Sequence, residues 1–67
     1  MNKAITSRDP RKPAIVAALK TASNCRKITT VRETGTHFHG NAMNPNPGGV
    51  VGDISVEKLT VWGVGAI

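Results

Sequence analysis

Aromatic side chains are almost missing from this 67-residue chain, which has one Phe, one Trp and no Tyr. Each such ring buries roughly 150–250 Å² when packed, so the core must be built from Val, Ile, Leu and Ala. The same scarcity argues against the stacking platforms with which OB-folds and RRM domains hold single-stranded nucleic acid. Cysteine is scarce as well. The single thiol, Cys25, forms no internal disulfide, which removes the usual staple of small secreted domains and points to a reducing compartment. No apolar run approaches the ~18 residues of a membrane span. The scattered charges at Lys3, Arg8, Asp9, Arg11 and Lys12, with no apolar stretch behind them, do not make a signal peptide. The expectation is a cytoplasmic or virion-associated protein with no membrane contact.

Acidic residues are few, and their placement is lopsided. Lys3, Arg8, Arg11, Lys12, Lys20, Arg26, Lys27 and Arg32 all precede residue 33, where Asp9 alone opposes them. From there on, Lys58 stands against Glu33, Asp53 and Glu57. Residues 1–32 therefore carry +7 and residues 33–67 carry −2, which together give the net +5 of the chain. Such a split predicts a basic region for an anionic partner beside a nearly neutral region that packs or assembles. A chain this short forms one domain, 1–67, and buries a modest share of its surface. With disulfides excluded, self-association is the remaining common reinforcement.

Local patterns divide the chain further. Lys3–Thr6 reads as a short strand, followed by a polar basic stretch that Pro10 and Pro13 punctuate. Each proline disfavours the α region for the residue before it, so the helix is expected to open at Pro13 with Lys12 as a poor N-cap. Ile15, Ala18, Leu19 and Ala22 repeat at helical spacing, and Ser23-Asn24 suits a helix end. One helix over about 13–24 follows. Ile28-Thr29-Thr30-Val31 are consecutive β-branched residues, which predicts a strand over 27–33. A turn at Thr34-Gly35 returns the chain as a second strand at 36–39.

Residues 40–49 are dominated by Gly, Asn and Pro, and the expectation is a long loop through which no ladder continues, most simply a connector. The apolar region 50–67 predicts one strand around 50–56 and another over 59–64, with the chain end tucked in or docked on another subunit. Val61, Trp62, Val64 and Ile67 are the candidates for self-association. The expected fold class is α+β: one short helix packed on a small, mainly antiparallel sheet of three to five strands.

Two features bear on chemistry. Arg8, Arg11, Lys12, Arg26, Lys27 and Arg32 flank the helix at both ends, and as one surface they would bind phosphates or an acidic protein in a salt-sensitive, sequence-independent way. The helix exposes few base-reading side chains, which disfavours groove reading. His37 and His39, two apart in a strand, share a face. A metal site there is a weak alternative, because Cys25, Glu33 and Asp53 complete no recognised ligand spacing. No cofactor is expected. RNA cleavage by its own 2′-hydroxyl needs only a base, an acid and a cation, and His37 and His39 with Lys27 or Arg32 supply those types. Cys25, beside Arg26 and Lys27, is read as a buried, inert thiol rather than a reactive one.

The order helix, basic strand and Gly-Thr-His-x-His hairpin, over residues 13–39, is similar to that of the HicA-type mRNA-interferase toxins. Those are small basic proteins with a double-stranded-RNA-binding-like fold and a Gly-Ser-His strand, and the resemblance implies RNA cleavage. The strands expected after residue 50 depart from it, since that family closes with a helix. The favoured function is a small non-enzymatic binding protein, of phage or mobile-element origin, that contacts nucleic acid or an acidic partner through its basic half and forms a homo-oligomer through its apolar half. The alternatives are a structural component of a virion or other assembly, an RNA-cleaving toxin, and an inhibitor docking on an acidic host protein.

Overall fold

Ile15, Leu19 and Ser23 stand four residues apart on one helical stripe, and all three are buried. They belong to α1 (Lys12–Ser23) of the computed structural model, which describes residues 3–62. The helix opens one residue earlier than Pro13, with Arg11 at the N-cap and no side-chain cap bond. Ser23 lies inside the packed stripe because its hydroxyl donates to the Leu19 carbonyl at 2.8 Å, satisfying itself. Asn24 then takes a left-handed conformation (φ 55°) and its N–H donates to the Lys20 carbonyl, stopping the helix.

The helix packs on one face of a four-stranded sheet of β1 (Lys3–Ala4), β2 (Cys25–Glu33), β3 (His37–Pro45) and β4 (Gly52–Glu57), with α2 (Lys58–Trp62) closing the described chain. The strands lie in the order β1-β2-β3-β4 and every pairing is antiparallel, so the architecture is a small α+β fold. Ile5, Ile15, Leu19, Val31, Phe38 and Val56 form the core between helix and sheet. No helix among the described residues is long and apolar enough to cross a membrane.

Two expectations are corrected. The ladder does continue through the first half of the Gly/Asn/Pro stretch: β3 runs to Pro45 and pairs with β2 on one side and β4 on the other. The composition misleads because β3 passes directly beneath α1. A Cβ on Gly40 would stand 2.7 Å from Ile28 Cγ2 and 3.0 Å from Leu19 Cδ1, so only glycine lets the helix sit this close. Ala42, two residues on, is buried on the same side. The remaining loop is tied down, with the Asn46 N–H donating to the Asn24 carbonyl at 3.0 Å and the Val50 N–H to the Ser23 carbonyl at 2.8 Å. Gly49 is packed so tightly on the Asn24 carbonyl that a side chain there would collide with it.

The second correction is at 58–62, which is helical rather than a strand. Lys58, Val61 and Trp62 follow the i, i+3, i+4 spacing of one helical side. That side turns inward: Lys58 reaches Glu33 at 2.8 Å, Val61 packs on the core, and Trp62 meets Phe38 edge-on at 5.9 Å. A strand would have sent alternate members of this group to solvent. The residues expected at 63–67, including Val64 and Ile67, lie outside those described.

Candidate nucleic-acid interface on the open face of the sheet

Side chains alternate along a strand, so the residues that do not face α1 line the opposite side of the sheet. On β3 the buried positions are Phe38, Gly40 and Ala42, which leaves His37, His39, Asn41 and Met43 on the open face. The register carries this assignment across to Asp53, Ser55 and Glu57 of β4 and to Lys27 and Thr29 of β2. No described element covers this face.

Arg32 reaches the same face through an irregularity. Ile28 points to the core, so strict alternation would send Thr30 and Arg32 inward and Val31 outward. The register between β2 and β3 shifts between Thr29 and Arg32, and Thr30 adopts φ 53°. This bulge inverts the remainder of the strand, burying Val31 and delivering Arg32 beside His39, its cross-strand neighbour. A β-branched residue in the left-handed region costs about 1–2 kcal/mol. The strand therefore carries local strain at the step that redirects the cation.

The two histidine rings stand 6.2 Å apart, tilted by 37°. Thr36 Oγ1 lies 2.7 Å from His37 Nδ1 and engages that nitrogen. Glu57 is directly across from His37, and Ser55 from His39. The Arg32 guanidinium crosses β3 to reach Asp53 Oδ1 at 3.5 Å, while its Nε–H is buried with no hydrogen-bond partner among the described residues. Taken across the sheet, the open face has cations on β2, imidazoles on β3 and carboxylates on β4. Among the described residues, no three His, Cys, Asp or Glu side chains are grouped to hold a metal ion.

The six basic residues singled out by sequence do not form one patch. Arg8, Arg11 and Lys12 sit at the start of α1, and Arg26 and Lys27 follow its end, about 18 Å away along a twelve-residue helix. Arg11 is consumed internally, with Nη2 at 2.9 Å from both Asp9 and Glu33. Its guanidinium and the Lys58 ammonium also flank Phe38, at 5.9 and 5.4 Å from the ring centroid. The Arg11 hydrogen bonds hold the carboxyls of Asp9 and Glu33 down at about 2, Lys58 assisting at Glu33. Arg26 donates to the Asn46 side chain at 2.8 Å. Lys27 and Arg32 remain on the open face with His37 and His39.

Of the self-association candidates, Val61 and Trp62 pack against the core, whereas the exposed apolar side chains are Met43, Val50, Val51 and Leu59, with Trp62 partly so. The Cys25 thiol is buried and lies 3.2 Å from the Val50 carbonyl. Sequence reasoning missed the β4 contribution, although Asp53-x-Ser55-x-Glu57 is a polar residue at every second position, the signature of an open strand face.

No family model matches this chain, and neither the curated proteins nor the solved structures include a match to it.

Proposed function

We propose that the open face of the sheet binds the phosphates of RNA, with Lys27 and Arg32 as the anchoring cations and His37 and His39 as polar contacts beside them. The observation that carries this reading is the strained bulge at Thr30, which turns Arg32 out of the core and onto the face where the histidines stand. Bulges recur where a strand must re-aim a side chain at a site, and backbone strain is retained there when the arrangement serves a purpose. Without Phe, Tyr or Trp on this face, binding rests on phosphate charge and is indifferent to base sequence. For two phosphate contacts on a single strand, log K falls with log[salt] at a slope of about −1.4. Lys27→Ala lowers the affinity and halves that slope, measured by fluorescence anisotropy on a labelled oligoribonucleotide over a salt series. A wild-type affinity that ignores salt sinks the reading.

A second reading, cleavage of the bound RNA, is favoured by the 6.2 Å spacing of the two rings. One imidazole takes the proton of the ribose 2′-hydroxyl as that oxygen bonds to phosphorus. The other, as imidazolium, gives a proton to the departing 5′-oxygen as its bond to phosphorus breaks. A 2′,3′-cyclic phosphate and a 5′-hydroxyl result, with no further reactant. The helix at 58–62 also removes the departure in element order from the toxin family that residues 13–39 resemble. Under this reading His37→Ala and His39→Ala each abolish cyclic-phosphate product while the Lys27-dependent binding persists. Product that survives both substitutions, or that appears equally from DNA, dismisses it.

A further inference from the structure

Arg32 is an under-used guanidinium. It carries five N–H donors in a fixed fork, the geometry that suits a phosphate or carboxylate. Among the described residues its ion pair is one 3.5 Å approach to Asp53, whose side chain is 76 % exposed, and the Nε–H is buried without a partner. A buried donor left unmade is unfavourable, and here it adds to the strain of the Thr30 bulge that holds Arg32 in place. Two unfavourable features thus converge on a residue whose side chain is still 36 % exposed. The same bulge seats Val31 in the core, a gain that does not depend on what the Arg32 side chain then does on the open face. What the arrangement provides is a guanidinium beside His39, opposed by one exposed carboxylate.

We infer that Arg32 is a phosphodiester clamp and that Asp53 is its latch: an incoming phosphate displaces the carboxylate, turns the guanidinium and takes a forked hydrogen bond with it. The inference rests on the phosphate-binding reading above and names the group within that face that grips. Asp53 occupies in the free protein the place a phosphate oxygen takes in the complex, so it competes with RNA and lowers its affinity. His39, across the strand pair from Arg32, then lies against the same phosphate. Lys27, about 13 Å away along β2 (four residues by the register of β3), contacts a different one. Thr30 acts only through Arg32 and is a positioning residue.

The test compares wild type, Asp53→Asn, Arg32→Lys and Arg32→Ala, binding a labelled oligouridylate at low salt. Both positions lie on the open face outside the core, and a far-ultraviolet spectrum and urea midpoint check each fold. Asp53→Asn is expected to tighten binding several-fold by removing the competitor. Arg32→Ala is expected to weaken it about tenfold or more, the scale of a lost charge-assisted hydrogen bond, and Arg32→Lys to restore only part because the fork is gone. In wild-type protein the Arg32 Nε–H resonance shifts when dimethyl phosphate is titrated in, and the shift arrives at lower concentration in Asp53→Asn. If Arg32→Ala weakens binding but Arg32→Lys matches wild type and Asp53→Asn is no tighter, the clamp is wrong and the broader reading survives; if Arg32→Ala also binds as wild type, both fail. If RNA does not bind, the broader reading fails, and the resonance decides the clamp alone. An Nε–H that ignores dimethyl phosphate in both proteins overturns it.

Discussion

At the scale of single residues, the position that sets how closely α1 approaches the sheet is one without a side chain. Gly40 sits on β3 under α1, and any Cβ there must push Ile28 Cγ2, at 2.7 Å, and Leu19 Cδ1, at 3.0 Å. The leucine methyl is the far end of a flexible side chain and yields, whereas the Ile28 methyl is fixed to a β-branched carbon on a strand. Gly40→Ala should therefore destabilise by about 1–3 kcal/mol, the cost of forcing a methyl into a packed core. Urea denaturation reads this directly as a lower midpoint at unchanged slope. Unaltered stability would mean that α1 is not seated as closely on the sheet as described. The prediction also bears on the site, because His39 and Asn41 flank Gly40 and point the other way. Overpacking beneath the sheet leaves the charges above it in place, so RNA binding by the folded fraction should persist.

At the scale of elements, legibility in the sequence followed how local the cause of each element is. The helix was readable because Ile15 and Leu19 repeat at its period and Asn24 can adopt the left-handed cap, all within one stretch of chain. β2 was readable from its β-branched run. The extension of β3 through Gly40–Pro45 was not, because composition there argues for a loop and the deciding facts are remote: α1 above, and strands on both sides. Likewise, Leu59–Trp62 has β-rich composition, and becomes helical because Lys58, Val61 and Trp62 find Glu33, the core and Phe38 on one side. The candidate site divides in the same way. The shared face of His37 and His39 follows from strand period alone, whereas the arrival of Arg32 depends on an extra residue in β2 that no period announces. A strand drawn straight from Ile28 would have buried this arginine. Locating the bulge required the partner strand.

At the scale of the whole molecule, the +5 charge separates into cations that hold the fold and cations that face outward. Arg11 and Lys58 belong to the first group. They join the loop before α1, the end of β2 and the start of α2 through Asp9 and Glu33. Because hydrogen bonding from Arg11 depresses the carboxyls of Glu33 and Asp9 from their ordinary 4.5 and 3.8 to about 2, both favour the folded chain while ionised. That contribution is complete above the ordinary values, is lost progressively as the pH falls from there through about 2, and is absent in acid below both. Urea midpoints should accordingly drop across that interval in wild type and drop less in Glu33→Gln, which starts lower at neutral pH and has less to lose. A variant that tracks the wild-type curve in parallel would show that Glu33 is not the group responsible. Arg11→Ala separates the two classes of cation. It lowers stability at neutral pH yet leaves the salt slope of RNA binding unchanged, whereas Lys27→Ala changes the slope and leaves the urea midpoint alone. A basic composition therefore overstates the charge available to a partner, and on the open face of the sheet the available part is Lys27 and the redirected Arg32 of β2.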